Sequence, residues 1–525
     1  MVKALLITGQ LAKKSVSRYA ARSPIETQVF DLPVSVAALM TAEYIARQLK
    51  GEDFSDFDFI LVPGLVRGDI SEIEGATGVA AFKGPRYAAD IPAVLELPEG
   101  VKLSRVVPAD DLLRKGSRRG AEREIAMAER DSRRILEKKA GLIIGLGKES
   151  VVIGQGLPMR IVAEIVDAPL LSDREIRERA KYYVDSGANI VDVGMMAGDP
   201  RPEDAARAVS AVKKAVSVPA SIDTMDPEEA KAAISAGVDL VLSIDGGNVE
   251  EMARFIGATP AVIVPTDHRR GYAPKQPLEK VRMLEKNIRK ALRSGIKTTI
   301  ADPILEPANV PGIFDSLVAY YEFAKRHPKT PLLFGVGNVT ELIDADSIGV
   351  NAIMASIASE VGACLLFTAE GSDKTRGCVR ELSTAARMMF IAKRRGSVPK
   401  DLGLDLLRLK DKRIYEEAYD RRIEKVARSV SVKKTREPAA DSMGCFKIML
   451  DRKKGILAAL HFPLGSKKPD LIIKGKTAAQ IQSRIIDEGL VFALDHAMYL
   501  GHELSKAEMA LRIGKSYVQD LPLFG

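Results

Sequence analysis

Eight short apolar runs, each followed by a segment of helical periodicity, fill residues 160–395, and this repetition constrains the fold more than any other feature of the chain. The runs are RIVAEIVD, ANIVDVG, PASIDT, LVLSIDGG, AVIVPTD, KTTIADPI, PLLFGVGN and CLLFTAE. Patterns such as DREIRERAKYYVDSG, EDAARAVSAVKKAV and PEEAKAAISAG occupy the intervals. Strands alternating with helices build parallel βαβ units. Eight such units in roughly 235 residues match the ~250 typical of a (β/α)8 TIM barrel. An open doubly wound sheet is the competing topology, but eight regular repeats favour closure.

The flanks read differently. Residues 1–109 alternate strand and helix on a smaller scale, with ALLITG ending at Gly9 and FDFILVPG ending at Gly64, and predict an N-terminal Rossmann-like α/β domain. Those glycines stand where open sheets bind ligands. No GxGxxG or Walker pattern accompanies them, so a structural or interaction role is expected. Residues 110–140 read as a charged, solvated linker helix, and residues 396–438 as a basic, Pro-containing linker. Residues 439–525 predict a small C-terminal α+β domain, a hairpin followed by two amphipathic helices. There His496 and His502 are six apart, off the i,i+4 spacing of helical metal ligands, and are expected to be structural.

Composition narrows the function classes. The 525 residues suit three or four domains. With 78 Lys and Arg against 70 Asp and Glu, the net charge of +8 is too slight to imply a nucleic-acid partner. No run approaches the ~18 apolar residues of a membrane helix. The N-terminus, MVKALLITGQLAKK, lacks a signal peptide's apolar core and cleavage site, so a cytoplasmic protein without membrane contact is expected. Cys364, Cys378 and Cys445 are too few and too scattered for a disulfide framework or a zinc cluster. Six Asn, eight Gln and no Trp point to a thermophilic source.

In a barrel of this kind chemistry sits at the C-terminal strand ends. Here those ends carry Glu164 and Asp167, Asp192, Asp223, Ser243 with Asp245 and Asn248, then Thr266, Asp267 and His268, Asp302 with Glu306, Asn338, and Thr368 with Glu370. Carboxylates therefore line the mouth of a basic protein. Paired acids hold a divalent metal, or accept hydrogen bonds from a ligand that presents a flat row of N–H donors. Asp226 before Pro227 has a simpler role as a helix cap. Capping does not explain Asp223 or Asp302, which end strands with no helix immediately after.

The runs SGANIVDVG, VPASIDTMDPEEAKAAISAGVDLVLSIDGGN, ADPILEP and FGVGNVTEL, in this order, resemble the pterin-binding family. That family joins dihydropteroate synthases with methyltransferases that use N5-methylated tetrahydropterins. The chain as a whole is similar to archaeal dihydropteroate-synthase-related proteins, including a C-terminal domain ending like HAMYLGHELSKAEMALRIGKSYVQD. The resemblance implies that Asp223 and Asp302 hold the 2-amino-pyrimidinone edge of a pterin and that Asp192 is the matching second-strand acid. It departs at Leu242, where the family usually has Asn; Asp245 and Asn248 are the nearby substitutes. The segment from Gly335 to Thr340 lacks the Arg and Lys of the synthases and is closer to the methyltransferase pattern, whose Asn falls on Asn338. His268 and Arg269, or Lys374 and Arg376, are the candidates for binding an anion, and Glu164 and Asp167 for a Mg2+ ion. The resemblance implies a synthase-like transferase that condenses a pterin-CH2-diphosphate with an arylamine in folate or tetrahydromethanopterin biosynthesis. Methyl transfer from an N5-methyl-tetrahydropterin to a corrinoid or other acceptor, or a pterin-binding protein without activity, are the alternatives. A homodimer is compatible with each.

Overall fold

The computed structural model describes residues 2–35, 37–96, 102–137, 140–410, 424, 427–433 and 440–524. Two compact units emerge, Met1–Leu406 and Leu407–Gly525.

The first unit opens with β1 (Lys3–Gly9), β2 (Glu26–Leu32), β3 (Phe59–Val62) and β4 (Ala81–Lys83), a parallel sheet in the order β2-β1-β3-β4. Leu5, Ile7, Ile60 and Val62 pack on one side with Ile45 and Ile73, while Leu6 and Leu61 pack on the other with Val16 and Tyr19. The expected Rossmann-like layering is present. Its strand-end glycines answer a packing need: a Cβ at Gly64 would lie 2.5 Å from the Gly84 carbonyl oxygen, and one at Gly9 2.8 Å from that of Val34.

Helix Ala109–Arg130 departs from the solvated linker expected there. Ala121, Ile125 and Ala128 join the main barrel core. Arg86 clamps the first helical turn through Asp110 and Asp111, the latter at 2.6 Å. Near the other end Glu129 grips Arg160 (2.8 Å to Nη2) and Glu124 takes Arg395 (2.8 Å). The dense charge of the segment masked a narrow apolar stripe.

A hairpin of β5 (Gly141–Ile144) and β6 (Val151–Gly154) follows, then the barrel strands. These are β7 (Arg160–Ile165), β8 (Ile190–Gly194), β9 (Ala220–Asp223), β10 (Leu240–Ile244), β11 (Ala261–Ile263), β12 (Thr299–Ala301), β13 (Leu333–Gly335) and β14 (Leu365–Ala369). All eight fall on the predicted runs. They form a parallel sheet in the order β12-β11-β10-β9-β8-β7-β14-β13, and its two ends meet where Ala301 pairs with Leu332, closing the (β/α)8 ring. Period-two alternation sorts the side chains. Ile161, Val191, Ile222 and Val241 face the helices. Val162, Ile190, Leu240, Leu242, Val262, Ile300, Leu333 and Leu365 face inward, and Ile144 and Ile153 of the hairpin join them. The barrel interior is thus a dry core with the hairpin as its lower stopper.

In the second unit β15 (Cys445–Asp451), β16 (Ile456–Phe462) and β17 (Leu471–Gly475) form an antiparallel sheet, one strand more than the predicted hairpin. Helices Ala478–Asp487 and Leu494–Ile513 cover it through Ile481, Leu500 and Leu504. His496 is buried with Nδ1 3.0 Å from Asp441, whereas His502 is exposed. Of the expected basic linker, Leu402 and Leu406 are buried in the barrel core cluster, and residues 411–423, 425–426 and 434–439 lie outside the described residues. No described helix is long and apolar enough to cross a membrane.

If the stopper is part of the core, Ile153→Ala should lower the barrel's unfolding free energy by ~2–5 kcal/mol and Ile153→Val by only ~0.5–1.5. Thermal melting of the two variants beside the parent checks the ranking.

Candidate functional site

The alternation that buries Val162 and Ile190 also turns Glu164 and Asp192 inward, one pleat higher toward the C-terminal mouth. Across the sheet Glu164 pairs with Asp192, Asp192 with Ser221, and Asp223 with Leu242. Leu242 belongs to the apolar floor, so at that height the fourth strand offers the site packing and no amide.

Each of three aspartates is held by a hydroxyl. Ser221 Oγ donates to Asp192 Oδ1 (2.6 Å) and Ser243 Oγ to Asp223 Oδ1 (2.8 Å). Tyr320 OH donates to Asp302 Oδ1 (2.6 Å), where the Ile304 amide joins it (2.8 Å). In every case Oδ2 receives no hydrogen bond from the described residues, and that of Asp192 is fully buried. A buried acceptor left unpaired costs ~1–3 kcal/mol. The arrangement therefore calls for a proton or for the donors of a ligand.

Burial works against ionisation at this rim. Burial, then the charges of Asp223, Asp167 and Glu341, push the Glu164 carboxyl up to about 8. Burial, then Asp223 and Glu164, raise Asp192 well above the usual range, against the Ser221 bond. Burial raises Asp223, and it takes Asp302 up to about 6 although the Tyr320 and Ile304 bonds oppose it. A Cβ at Gly194 would collide with the Glu164 carboxylate, so this glycine makes room for the acid.

Several expected site residues serve the loops instead. Asp245 is fully buried and accepts from the amides of His268 (2.7 Å) and Gly247 (2.8 Å), from Thr266 Oγ1 (2.9 Å) and from His268 Nδ1 (2.9 Å). Burial works against its ionisation, but the His268 bonds and the others outweigh it and hold the carboxyl below the usual range. Asn248, also fully buried, gives Nδ2 to the Met225 and Ser243 carbonyls and accepts from the Asp245 amide. Neither has atoms to spare for a ring in the barrel, contrary to the substitution expected for Leu242. Asn338 donates Nδ2 to the Leu305 carbonyl (2.8 Å), tying the loop after β13 to the loop that carries Asp302.

The anion candidates divide into two groups. Arg269 is exposed and bound to Glu251 (2.7 Å), beside His268 in the loop after β11. Lys374 binds Asp344 (3.0 Å) and the Ile343 carbonyl, and Arg376 is exposed, both after β14. Those strands stand three apart around the ring, so the two groups belong to separate loops of the mouth. Among the described residues no three His, Cys, Asp or Glu side chains converge as metal ligands, so Glu164 and Asp167 do not build the expected Mg2+ site. Glu370 instead accepts from the Val379 amide at a helix start and from Tyr182 OH.

Sequence reasoning missed the hydroxyls of Ser221 and Tyr320 and the buried Lys280, which reaches Glu306 (2.8 Å) behind the Asp302 loop. Ser221 could have been found, since it lies two residues before Asp223 on the same strand face. Tyr320 comes from a helix 18 residues after Asp302, with no local signal.

The fold and the site define a (β/α)8 barrel with an acid-lined mouth. Residues 166–372 match the family model described as pterin binding enzyme, residues 440–520 match PterinBD-DUF4346, and residues 2–86 match a family of unknown function, DUF6513. The uncharacterized protein MJ0107 of Methanocaldococcus jannaschii is 40% identical over 100% of this chain and 99% of its own length. Folic acid synthesis protein fol1 of Schizosaccharomyces pombe is 30% identical over 20% of this chain and 16% of its own. Among solved structures, dihydropteroate synthase from Thermus thermophilus is 22% identical, with a TM-score of 0.37 over 47% of this chain and 97% of the other. The chain belongs to the pterin-binding, dihydropteroate-synthase-like family.

In the folded protein burial and the neighbouring carboxylates push the Glu164 carboxyl from its ordinary 4.5 up to about 8. Between those limits the unfolded state binds fewer protons, so stability falls as pH rises. Glu164→Gln should remove much of that decline and melt several degrees above the parent at pH 8.5, with little difference at pH 5. Melting curves across that range test it.

Proposed function

We propose that the barrel holds a reduced pterin by its 2-amino-pyrimidinone edge and condenses a pterin-CH2-diphosphate with an arylamine, a transferase step of folate- or tetrahydromethanopterin-type cofactor biosynthesis. One observation carries this reading: Asp223 and Asp302 each have one oxygen fixed by a hydroxyl and the other without a hydrogen bond from the described residues. A pterin edge supplies adjacent ring N–H and amino donors, and carboxylates accept such pairs with charge-assisted strength. Asp223 and Asp302 take the edge and Asp192 lies beneath it. Arg376, exposed after β14, is the cation left for the diphosphate, because Lys374 is occupied by Asp344.

Methyl transfer from an N5-methyl-tetrahydropterin is the second reading, favoured by Asn338 in place of a lysine after β13. Calorimetry separates them. In the synthase reading, 6-hydroxymethyl-7,8-dihydropterin diphosphate should bind more tightly than N5-methyl-tetrahydropterin, and Arg376→Ala should weaken only the diphosphate. The reverse preference, with loss of binding in Asn338→Ala, would favour methyl transfer.

Asp223→Ala and Asp302→Ala should each weaken pterin binding by ~1–3 kcal/mol, about fivefold to more than a hundredfold. Unchanged affinity in both variants would remove the pterin from this barrel.

A further inference from the structure

We propose that His268 accepts the proton of the attacking amine, with Asp245 holding its imidazole in the required tautomer. This rests on the condensation reading above and adds a catalytic residue to it.

Asp245 follows β10, and its carboxylate is wholly enclosed by donors, one of them His268 Nδ1 at 2.9 Å. An ionised carboxylate only accepts, so Nδ1 carries the hydrogen, and the tautomer this selects has its lone pair on Nε2. Nε2 takes no hydrogen bond from the described residues, and the side chain stays 34% exposed at the mouth. If the pair served only to brace the loops, the backbone amides of His268 and Gly247 and the Thr266 hydroxyl would suffice. The imidazole adds an outward-facing base to a carboxylate that is already satisfied.

The pair is rigidly mounted. Asn287 Nδ2 donates to the carbonyls of Val264 and Thr266, and Lys290 Nζ to that of Gly246. A Cβ at Gly247 would lie 3.0 Å from His268 Nδ1, so glycine gives the ring its place. Asn248 joins this loop to the Ser243 carbonyl, and Ser243 Oγ holds Asp223. One hydrogen-bonded network thus runs from the aspartate proposed to hold the ring to the base. Other charged groups near His268 are Asp267 with Arg270 (3.6 Å) and Glu251 with Arg269 (2.7 Å).

In the step, the amine lone pair forms a C–N bond to the methylene carbon. The C–O bond to the diphosphate breaks and its electron pair leaves on the diphosphate oxygen. The ammonium proton that results passes to Nε2 and then to water. A positioned base of this kind contributes ~10²–10⁴-fold. Asp245 touches no reacting atom and is a positioning residue.

The test uses the full-length protein with 6-hydroxymethyl-7,8-dihydropterin diphosphate and p-aminobenzoate. His268→Gln should bind the pterin diphosphate like the parent, lose ~10²–10⁴-fold in kcat and lose the acidic limb of the kcat profile. Added imidazole should restore part of the rate to His268→Ala. Asp245→Asn should lower kcat and displace the acidic limb, and 15N spectra of the parent should show a neutral His268 protonated at Nδ1. A His268→Gln variant with parental kcat, or a His268 protonated only at Nε2, overturns the proposal and leaves the pterin site standing. A parent that binds the pterin diphosphate yet forms no product overturns the condensation and this step together. A parent that binds no pterin overturns the whole reading.

Discussion

Burying several carboxyl groups on one rim of a dry barrel is the constraint to which the rest of the mouth responds. An isolated carboxylate has no place on an apolar floor of Leu242, Val262 and Ile300. The protein supplies hydroxyls from Ser221, Ser243 and Tyr320, which satisfy one oxygen of each aspartate without adding charge. Where donors run out, burial and the neighbouring acids push the carboxyls up, Glu164 to about 8 and Asp192 well above the usual range. No lysine or arginine is among the main influences on Glu164, Asp192 or Asp223. A cation there would pair with the acids and close the site to a neutral donor-rich ligand. Lys280 is kept behind the Asp302 loop, bonded to Glu306.

The loops show the opposite solution. Asp245, like Asp192, has no solvent exposure, but it is surrounded by amides, a hydroxyl and an imidazole, which hold its carboxyl below the usual range. Two buried aspartates on neighbouring parts of one rim are thus shifted in opposite directions. Asp192 has one donor against the burial that raises it, whereas the several donors around Asp245 outweigh burial. One arrangement leaves an oxygen open to the barrel, and the other leaves nothing open except the far side of a histidine ring.

This also explains how far the sequence could be read. The eight strands were legible because parallel strands in a barrel are continuous apolar runs, and Asp223 and Asp302 because a charge at the end of such a run needs a reason. Side chains brought from elsewhere were not legible. Tyr320 arrives from a helix, and the fate of Asn248 depends on the Met225 carbonyl in another loop. Helix Ala109–Arg130 was misread because charge density hid a stripe as thin as Ala121, Ile125 and Ala128. The hairpin under the barrel left no trace beyond two short apolar runs, since its partners, Val162 and Ile190 among them, come later in the chain.

The grip of Glu129 on Arg160 reaches beyond the packing of one helix. Arg160 begins the first barrel strand and is 4% exposed, with its Nε on the Val152 carbonyl and its guanidinium on a carboxylate supplied from outside the barrel. At its other end the same helix is fastened to the first domain through Arg86. A barrel cut free of that domain and helix would lose the Glu129 carboxylate that pairs with Arg160 and the Ala121, Ile125 and Ala128 contacts to its core. The two parts are therefore not interchangeable modules joined by a tether. A recombination event that separated them would have to replace Arg160 at the same time, which ties the inheritance of the N-terminal domain to that of the barrel.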